Sequence, residues 1–290
     1  MRMYTTLTYD MFTMLLHCLQ RFTLTYYSGW APGSISLEDQ LLLTLTKLTM
    51  NCKDADLGLR FGISRPSVSN IFNTMIYALY ELLYEGIMDV TFPSQIKYKG
   101  SLPSSFEDFR SARASVDAVE ISQDIPHGLD SQACTYSSYK LRHTVKAVTA
   151  VAPNGTITYC STLYPGSTSD VAIIRHCKIL QKFVPGDVIL ADKGFTVHDQ
   201  LPSGVHLNLL PFLTDKKQFT AQEAKIYKIA RARIHVEHAN EKIKNFDILR
   251  HIPAIYRPLS TKIFRVCCCL VNLQSPLIRE IAENSSYDNA

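Results

Sequence analysis

Several things that would assign this chain quickly are missing. None of its eight cysteines stands in a C-x-x-C pair, so the spacing of a cysteine zinc site is absent. No apolar run approaches the length of a membrane span. The opening MRMYTTLTYDMFTMLLHCLQ is no signal peptide: its apolar stretch is short, Asp10 precedes it, and no small-residue cleavage site follows. A soluble protein with no membrane partner is expected. Charge is also modest, with 19% charged residues, a net charge of +4 and no compact basic run that would direct a protein to the nucleus. That excess permits nucleic-acid binding without requiring it, because a local basic face counts for more than the sum.

What is present is 290 residues with 46% hydrophobic content, enough for one large core and a smaller domain. The run Cys267-Cys268-Cys269 inside FRVCCCLVNL reads as small apolar residues on a buried helix, reduced as in an intracellular protein.

The first hundred residues read as helices. The first is amphipathic, with Met11, Leu15, Leu16 and Leu19 on one face. Ser36 caps a second, in which Leu41, Leu45 and Leu48 recur at helical spacing. A third runs to about Phe61 with Leu57 and Phe61 inward, and Gly62-Ile63-Ser64 turns the chain. The next helix carries Pro66 in its first turn, where a missing N–H is harmless, and Val68, Ile71, Phe72 and Met75 on its apolar face. Two short helices joined by a glycine turn form the helix-turn-helix pattern, spanning about 37–84. Its second helix shows Arg65, Ser67, Ser69, Asn70 and Asn73 on the other face, donors suited to phosphates and base edges. A helical hairpin that only packs, with those residues as a solvated face, is the competing reading.

The Pro/Ser/Gly-rich FPSQIKYKGSLPSSFEDF separates this helical region, 1–95, from a second domain over 106–280, with a polar tail at 281–290. In the second domain ASVDAVEI reads as a strand. HTVKAVTAVAP and TITYCSTLYPG flank Asn154-Gly155 as a hairpin. VAIIRHCKILQKF is a helix, DVILADKGF a strand, and LNLLPFL a further strand. A long helix from about Thr220 to Phe246 and a closing helix in STKIFRVCCCLVNLQSPLIREI complete a mixed α/β domain.

The strand VILA ends on Asp192, a poor residue for packing and a good one for a site where strand ends converge. Asp117 interrupts the strand SVDAVEI, Asp170 opens a helix after YPGSTS, and Glu237 lies mid-helix among bases. Four such acids meeting at a sheet edge suit two divalent cations, Mg²⁺ or Mn²⁺, and phosphodiester chemistry. Other readings stand beside this: Asp170 as a helix cap, and Glu237 paired with Arg233 or Lys244. Glu120, Asp124 and Asp187 read as surface acids. Lys140, Arg142, His143 and Lys146 in one segment, with Arg231, Arg233, Lys242 and Lys244 around Glu237, read as phosphate contacts, or as a solvated face for Lys242 and Lys244.

The ordered motifs VDAVEI, YSSYKLRHTVKAV, PGSTSDVAI, GDVILADKGF and RIHVEHANEKIKNFDIL resemble the DDE superfamily endonuclease domain of PIF/Harbinger-type transposases. LGLRFGISRPSVSNIF resembles the helix-turn-helix that precedes it. The resemblance covers nearly the whole chain and implies a ribonuclease-H-like fold, divalent metal and DNA strand transfer. It makes Asp117, Asp192 and Glu237 the catalytic and metal-binding triad and Asp170 a further metal contact. Gly194 then turns the chain without a side chain crowding the site. The resemblance also implies a separately encoded DNA-binding partner; nuclear location is expected from the function, and the chain does not reveal its oligomeric state, a homo-oligomer being one option. Two departures stand out. Ala118 and Val119 follow Asp117 where relatives often carry cysteine and threonine. No zinc-binding module precedes Met1, as expected of a truncated chain, a lineage without one or an incomplete gene product. A domesticated DNA-binding or regulatory protein, and a nuclease without strand transfer, are the alternatives.

Overall fold

The computed structural model describes residues 1–33, 35–98, 102–192, 194–209 and 221–276. They divide into two compact units. One joins residues 1–90 with 121–125 and 242–274; the other holds 91–120, 126–241 and the residues from 275. The polar tail, Lys193 and the end of LNLLPFL lie outside the described residues.

The first unit is helical. A single turn, α1 (Arg2–Thr5), leads to α2 (Tyr9–Leu19), capped by Thr8. Its inward residues are Phe12, Leu15 and Leu19, whereas Met11 stays at the surface; the buried stripe is set one residue round from the expected one. The central helix is α3 (Leu37–Met50), whose cap Ser36 accepts the Asp39 amide. Leu41, Leu43, Leu45 and Leu48 are all fully buried, so α3 is covered on several sides, as a helix apolar over so wide an arc requires.

Helices α4 (Asp54–Phe61) and α5 (Arg65–Leu79) follow. Gly62 ends α4 at φ +65°, a left-handed conformation that glycine adopts without strain. Ser64 caps α5, and the expected face of Val68, Ile71, Phe72 and Met75 is buried. A second glycine matters as much. A Cβ on Gly58 would meet the Ile63 carbonyl oxygen at 2.7 Å, so the turn closes onto bare backbone. From Tyr80 to Met88 the helix continues with π-type bonding.

The second unit begins with a short helix, α6 (Gln95–Tyr98), and a 3₁₀ segment (Ser104–Phe109), then β1 (Ala112–Gln123). Helix α7 (Leu129–Thr135) leads to β2 (Tyr136–Ser137) and β3 (Arg142–Val151). The Asn154-Gly155 turn returns the chain as β4 (Ile157–Cys160), antiparallel to β3, with Gly155 at φ +86°. Then come β5 (Tyr164–Pro165), α8 (Asp170–Cys177), β6 (Val188–Ala191), β7 (His206–Leu209) and the long α9 (Ala221–Lys244).

The sheet runs β2-β3-β1-β6-β7. β1, β6 and β7 pair in parallel, while β2, β4 and β5 lie antiparallel to β3. This is the mixed, helix-flanked sheet of the ribonuclease-H-like α/β class. One face packs Ala114, Val116, Ile189 and Ala191 against Ile173 and Ile174 of α8; the other packs Ala112 and Leu190 against Ala232 of α9. Ala112 and Ala114 would share a face in a regular strand. A register shift between them, opposite Val188 and Ile189, sends them to opposite sides.

Arg113, at that irregularity, is buried and pairs with Asp187 at 2.8 Å. Its other donors reach the Pro93 and Phe92 carbonyls, and Gln95 donates to the second Asp187 oxygen. Asp187 is therefore no surface acid but half of a fully hydrogen-bonded internal ion pair.

The last strand, β8 (His251–Ile252), pairs with Ser122 and Gln123 at the end of β1 and belongs to the helical unit. There Asp124 accepts from His251 and from the Ala254 amide. Helix α10 (Ser260–Asn272) also packs in this unit, although its sequence position suggested that it closes the catalytic domain. Cys267, Cys268 and Cys269 are buried thiols outside any disulfide, as the run of apolar neighbours implied.

Candidate active site

Strand register creates the site. The last pairs between β1 and β6 are Ser115 with Leu190 and Val116 with Ala191. The next residue on each strand is an acid, Asp117 and Asp192. Side chains alternate across a sheet. Val116 and Ala191 pack on the α8 face, so the two aspartates project to the α9 face. β6 stops at Ala191, and the Asp192 carbonyl accepts the Phe195 amide in the turn that follows. Phe195 is buried and anchors that turn.

Helix α9 supplies the rest. Arg233, Glu237 and Asn240 stand at i, i+4 and i+7, one stripe of a helix. On another side of α9, His235 shares a 2.7 Å hydrogen bond with Ser105 and stacks on Phe106, which fixes the helix's rotation. The Asn240 amide donates to Asp117 Oδ2 at 3.0 Å, and its carbonyl accepts from the Thr149 hydroxyl at 2.8 Å. Asn240 is thus held from both ends of its side chain.

The other oxygen of Asp117 faces Arg233. That guanidinium stands 4.0 Å from Asp117 Oδ1, 3.6 Å from Asp192 Oδ1 and 3.9 Å from Glu237 Oε1. One cation therefore joins the three acids expected to form the triad. Arg233 is only 5% exposed, so it is not the solvent-facing phosphate contact expected from sequence. The three separations exceed hydrogen-bond length. Its Nε also has no hydrogen-bond partner among the described residues.

Burial pushes the Asp117 carboxyl above its ordinary pKa, and the neighbouring Asp192 adds to the rise. The Arg233 charge, the Ala118 amide and Asn240 oppose it without cancelling it. Asp192 and Glu237 are open to solvent, with side chains 45% and 58% exposed.

Asp170 has a different cation. Lys146 of β3 stands 3.5 Å from Asp170 Oδ1 and also donates to the Thr168 carbonyl, so this lysine is turned inward. The cap of α8 is Ser169, whose hydroxyl accepts the Ala172 amide, and this removes capping as the role of Asp170. A Cβ on Gly194 would lie 3.8 Å from Asp170 Oδ2, an ordinary contact, so the crowding expected there is slight.

Of the expected DNA contacts, Arg65, Lys140, Arg142 and Arg231 are exposed and Ser67 is half-buried beside its partner Ser64. Asn70 is buried; it accepts from the Ser28 amide and donates to the Trp30 carbonyl. It ties the chain before α3 to α5 and is unavailable to DNA.

The donor set has the right chemistry for a hard divalent cation: carboxylate oxygens, one of them costly to bury while charged. Asp117 and Asp192 form its core and Glu237 completes it. Among the described residues no three His, Cys, Asp or Glu groups are gathered closely enough to share one ion; the acids are spread around the guanidinium. Asn240, Thr149 and the role of Arg233 escaped the sequence reading. The one signal was a polar amide on the Glu237 stripe of a helix.

Comparison with known proteins gives the family. The family described as DDE superfamily endonuclease matches residues 116–272, more than half of the chain. The helix-turn-helix of DDE superfamily endonuclease matches residues 33–85. No curated protein and no solved structure matches. The chain belongs to the DDE superfamily endonucleases and carries, ahead of the endonuclease domain, that family's helix-turn-helix.

Proposed function

We propose that this chain is a PIF/Harbinger-type transposase that cuts DNA phosphodiesters and joins the freed 3′-hydroxyl to target DNA. Asp117, Asp192 and Glu237 are its metal ligands, with Asp170 as a further one. The observation that carries the reading is the strand register that leaves Asp117 and Asp192 side by side, both facing the helix that bears Glu237. A pair of Mg²⁺ or Mn²⁺ ions, when bound, activates the attacking oxygen and stabilises the leaving one.

The protein's own part is positioning. Asn240 and Thr149 fix the orientation of Asp117, and Lys146 holds Asp170. Phosphates are gripped by Arg65 and Ser67 at the start of α5, by Lys140 in the turn before β3 and Arg142 at its start, and by Arg231 on α9. Lys140 lies over the ring of Tyr139, itself 83% exposed and suited to stacking on a base. A nuclear location, from the function, and a separately encoded DNA-binding partner, from the family resemblance, belong to the same proposal, as does a homo-oligomer.

The test is nicking of supercoiled plasmid with Mg²⁺ or Mn²⁺ by the purified chain beside Asp117→Ala. Metal-dependent nicking that the variant loses supports the reading. Equal nicking by both removes Asp117 from the mechanism. A DNA-binding role without cleavage is the second reading, favoured by the guanidinium charge among the acids. Folded, DNA-binding protein that never nicks moves the weight there.

A further inference from the structure

Arg233 poses a physical problem. A buried guanidinium normally spends its donors on close, often bidentate hydrogen bonds. Here Nε is unpartnered among the described residues, and the nearest carboxylate oxygens stand 3.6 to 4.0 Å away. The side chain is nonetheless 5% exposed, on a helix whose rotation is fixed by Ser105 and Phe106. What it supplies is charge at the centre of three acids, not tight pairing with any one of them.

We propose that Arg233 is a built-in counter-ion that keeps Asp117, Asp192 and Glu237 assembled in the metal-free protein and thereby weakens their hold on a divalent cation. The inference rests on the metal-binding reading above and deepens it. Without a cation at this point the three carboxylates repel one another, and Asp117, the most buried, bears most of the cost. With Arg233 present they stay together. An arriving metal ion meets a site already carrying one positive charge about 4 Å from each ligand, where like charges repel appreciably. Arg233 is a positioning residue in this account, acting through the acids.

The experiment compares wild type, Arg233→Lys and Arg233→Gln by calorimetric titration with Mn²⁺, with circular dichroism melts in EDTA and in Mn²⁺. Arg233→Gln is expected to melt at lower temperature in EDTA and to bind Mn²⁺ about tenfold more tightly than wild type. Arg233→Lys, which keeps the charge, is expected to bind like wild type. Should Arg233→Gln be unfolded in EDTA, folding on Mn²⁺ addition supports the proposal, since another cation then replaces the missing charge. Failure to fold with Mn²⁺ overturns it, because packing is then what Arg233 provides. Equal or weaker Mn²⁺ affinity in folded Arg233→Gln overturns the proposal and leaves the metal reading standing. Absence of Mn²⁺ binding in every form removes both.

Discussion

Asn240 donates to Asp117 Oδ2 across 3.0 Å and leaves the other carboxylate oxygen facing Arg233. Removal of that amide frees the Asp117 carboxyl to rotate and leaves a part-buried oxygen unpaired. Asn240→Ala is expected to cost about 1–3 kcal/mol of stability and to weaken Mn²⁺ binding about 10- to 100-fold. Thermal melts and calorimetric titration check the two effects. Unchanged metal affinity would sink the orienting role.

Asp192 is half-exposed and lies just past the end of β6, so losing its charge should disturb the fold little. Asp192→Asn should keep the melting temperature within a few degrees and retain DNA affinity in a gel-shift assay. Plasmid nicking should disappear. A variant that nicks like wild type removes Asp192 from the triad.

Partial burial raises the Asp117 pKa above its ordinary value. A carboxyl whose folded pKa is raised holds its proton more tightly in the native state. Its contribution to stability is therefore full below the unfolded pKa and is lost as pH rises through the folded value. In metal-free protein at neutral pH the ionised Asp117 is a net cost. Asp117→Asn should accordingly melt higher than wild type at pH 7 in EDTA, and the advantage should shrink as pH falls through the raised folded value and be gone below about 4. A constant difference across that range would contradict the assignment.

Arg65 and Asn70 sit on the same short helix and should behave differently. Arg65 is exposed, so Arg65→Ala should weaken DNA binding and reduce the salt slope by about one while leaving the melt unchanged. Asn70 is buried with two backbone partners, so Asn70→Ala should lower the melting temperature. Salt-dependent fluorescence anisotropy separates the two. An Asn70→Ala variant of native stability but lost DNA binding would reverse the assignment.

Gly58 lies directly against the Ile63 carbonyl in the helix-turn-helix. A methyl group there must push backbone, so Gly58→Ala should cost about 1–3 kcal/mol, the range for overpacking. Denaturant melts measure it. A neutral result would show that the turn adapts.

Local features were legible in the sequence because their causes are local. The caps at Ser36 and Ser64 depend on residues within one turn. The Asn154-Gly155 hairpin follows from glycine's freedom at positive φ, and the strand that ends on Asp192 from an apolar run meeting a carboxylate. An acid inside or ending an apolar strand marks Asp117 and Asp192 as candidates, and a place mid-helix among bases marks Glu237.

What touches what was decided only by tertiary structure. Helical spacing assigns Arg233 and Glu237 to one stripe, yet nothing in that spacing says whether the stripe meets solvent or the ends of two strands. The register shift between Ala112 and Ala114, beside the buried Arg113–Asp187 pair, sets which face β1 presents. Asn70 and Asp187 looked like surface residues because polarity predicts exposure only where no buried partner waits, and both have partners far along the chain. Arg233 is the sharpest case. Its sequence reads as a DNA-facing base, and its burial among three carboxylates follows from packing α9 against the sheet.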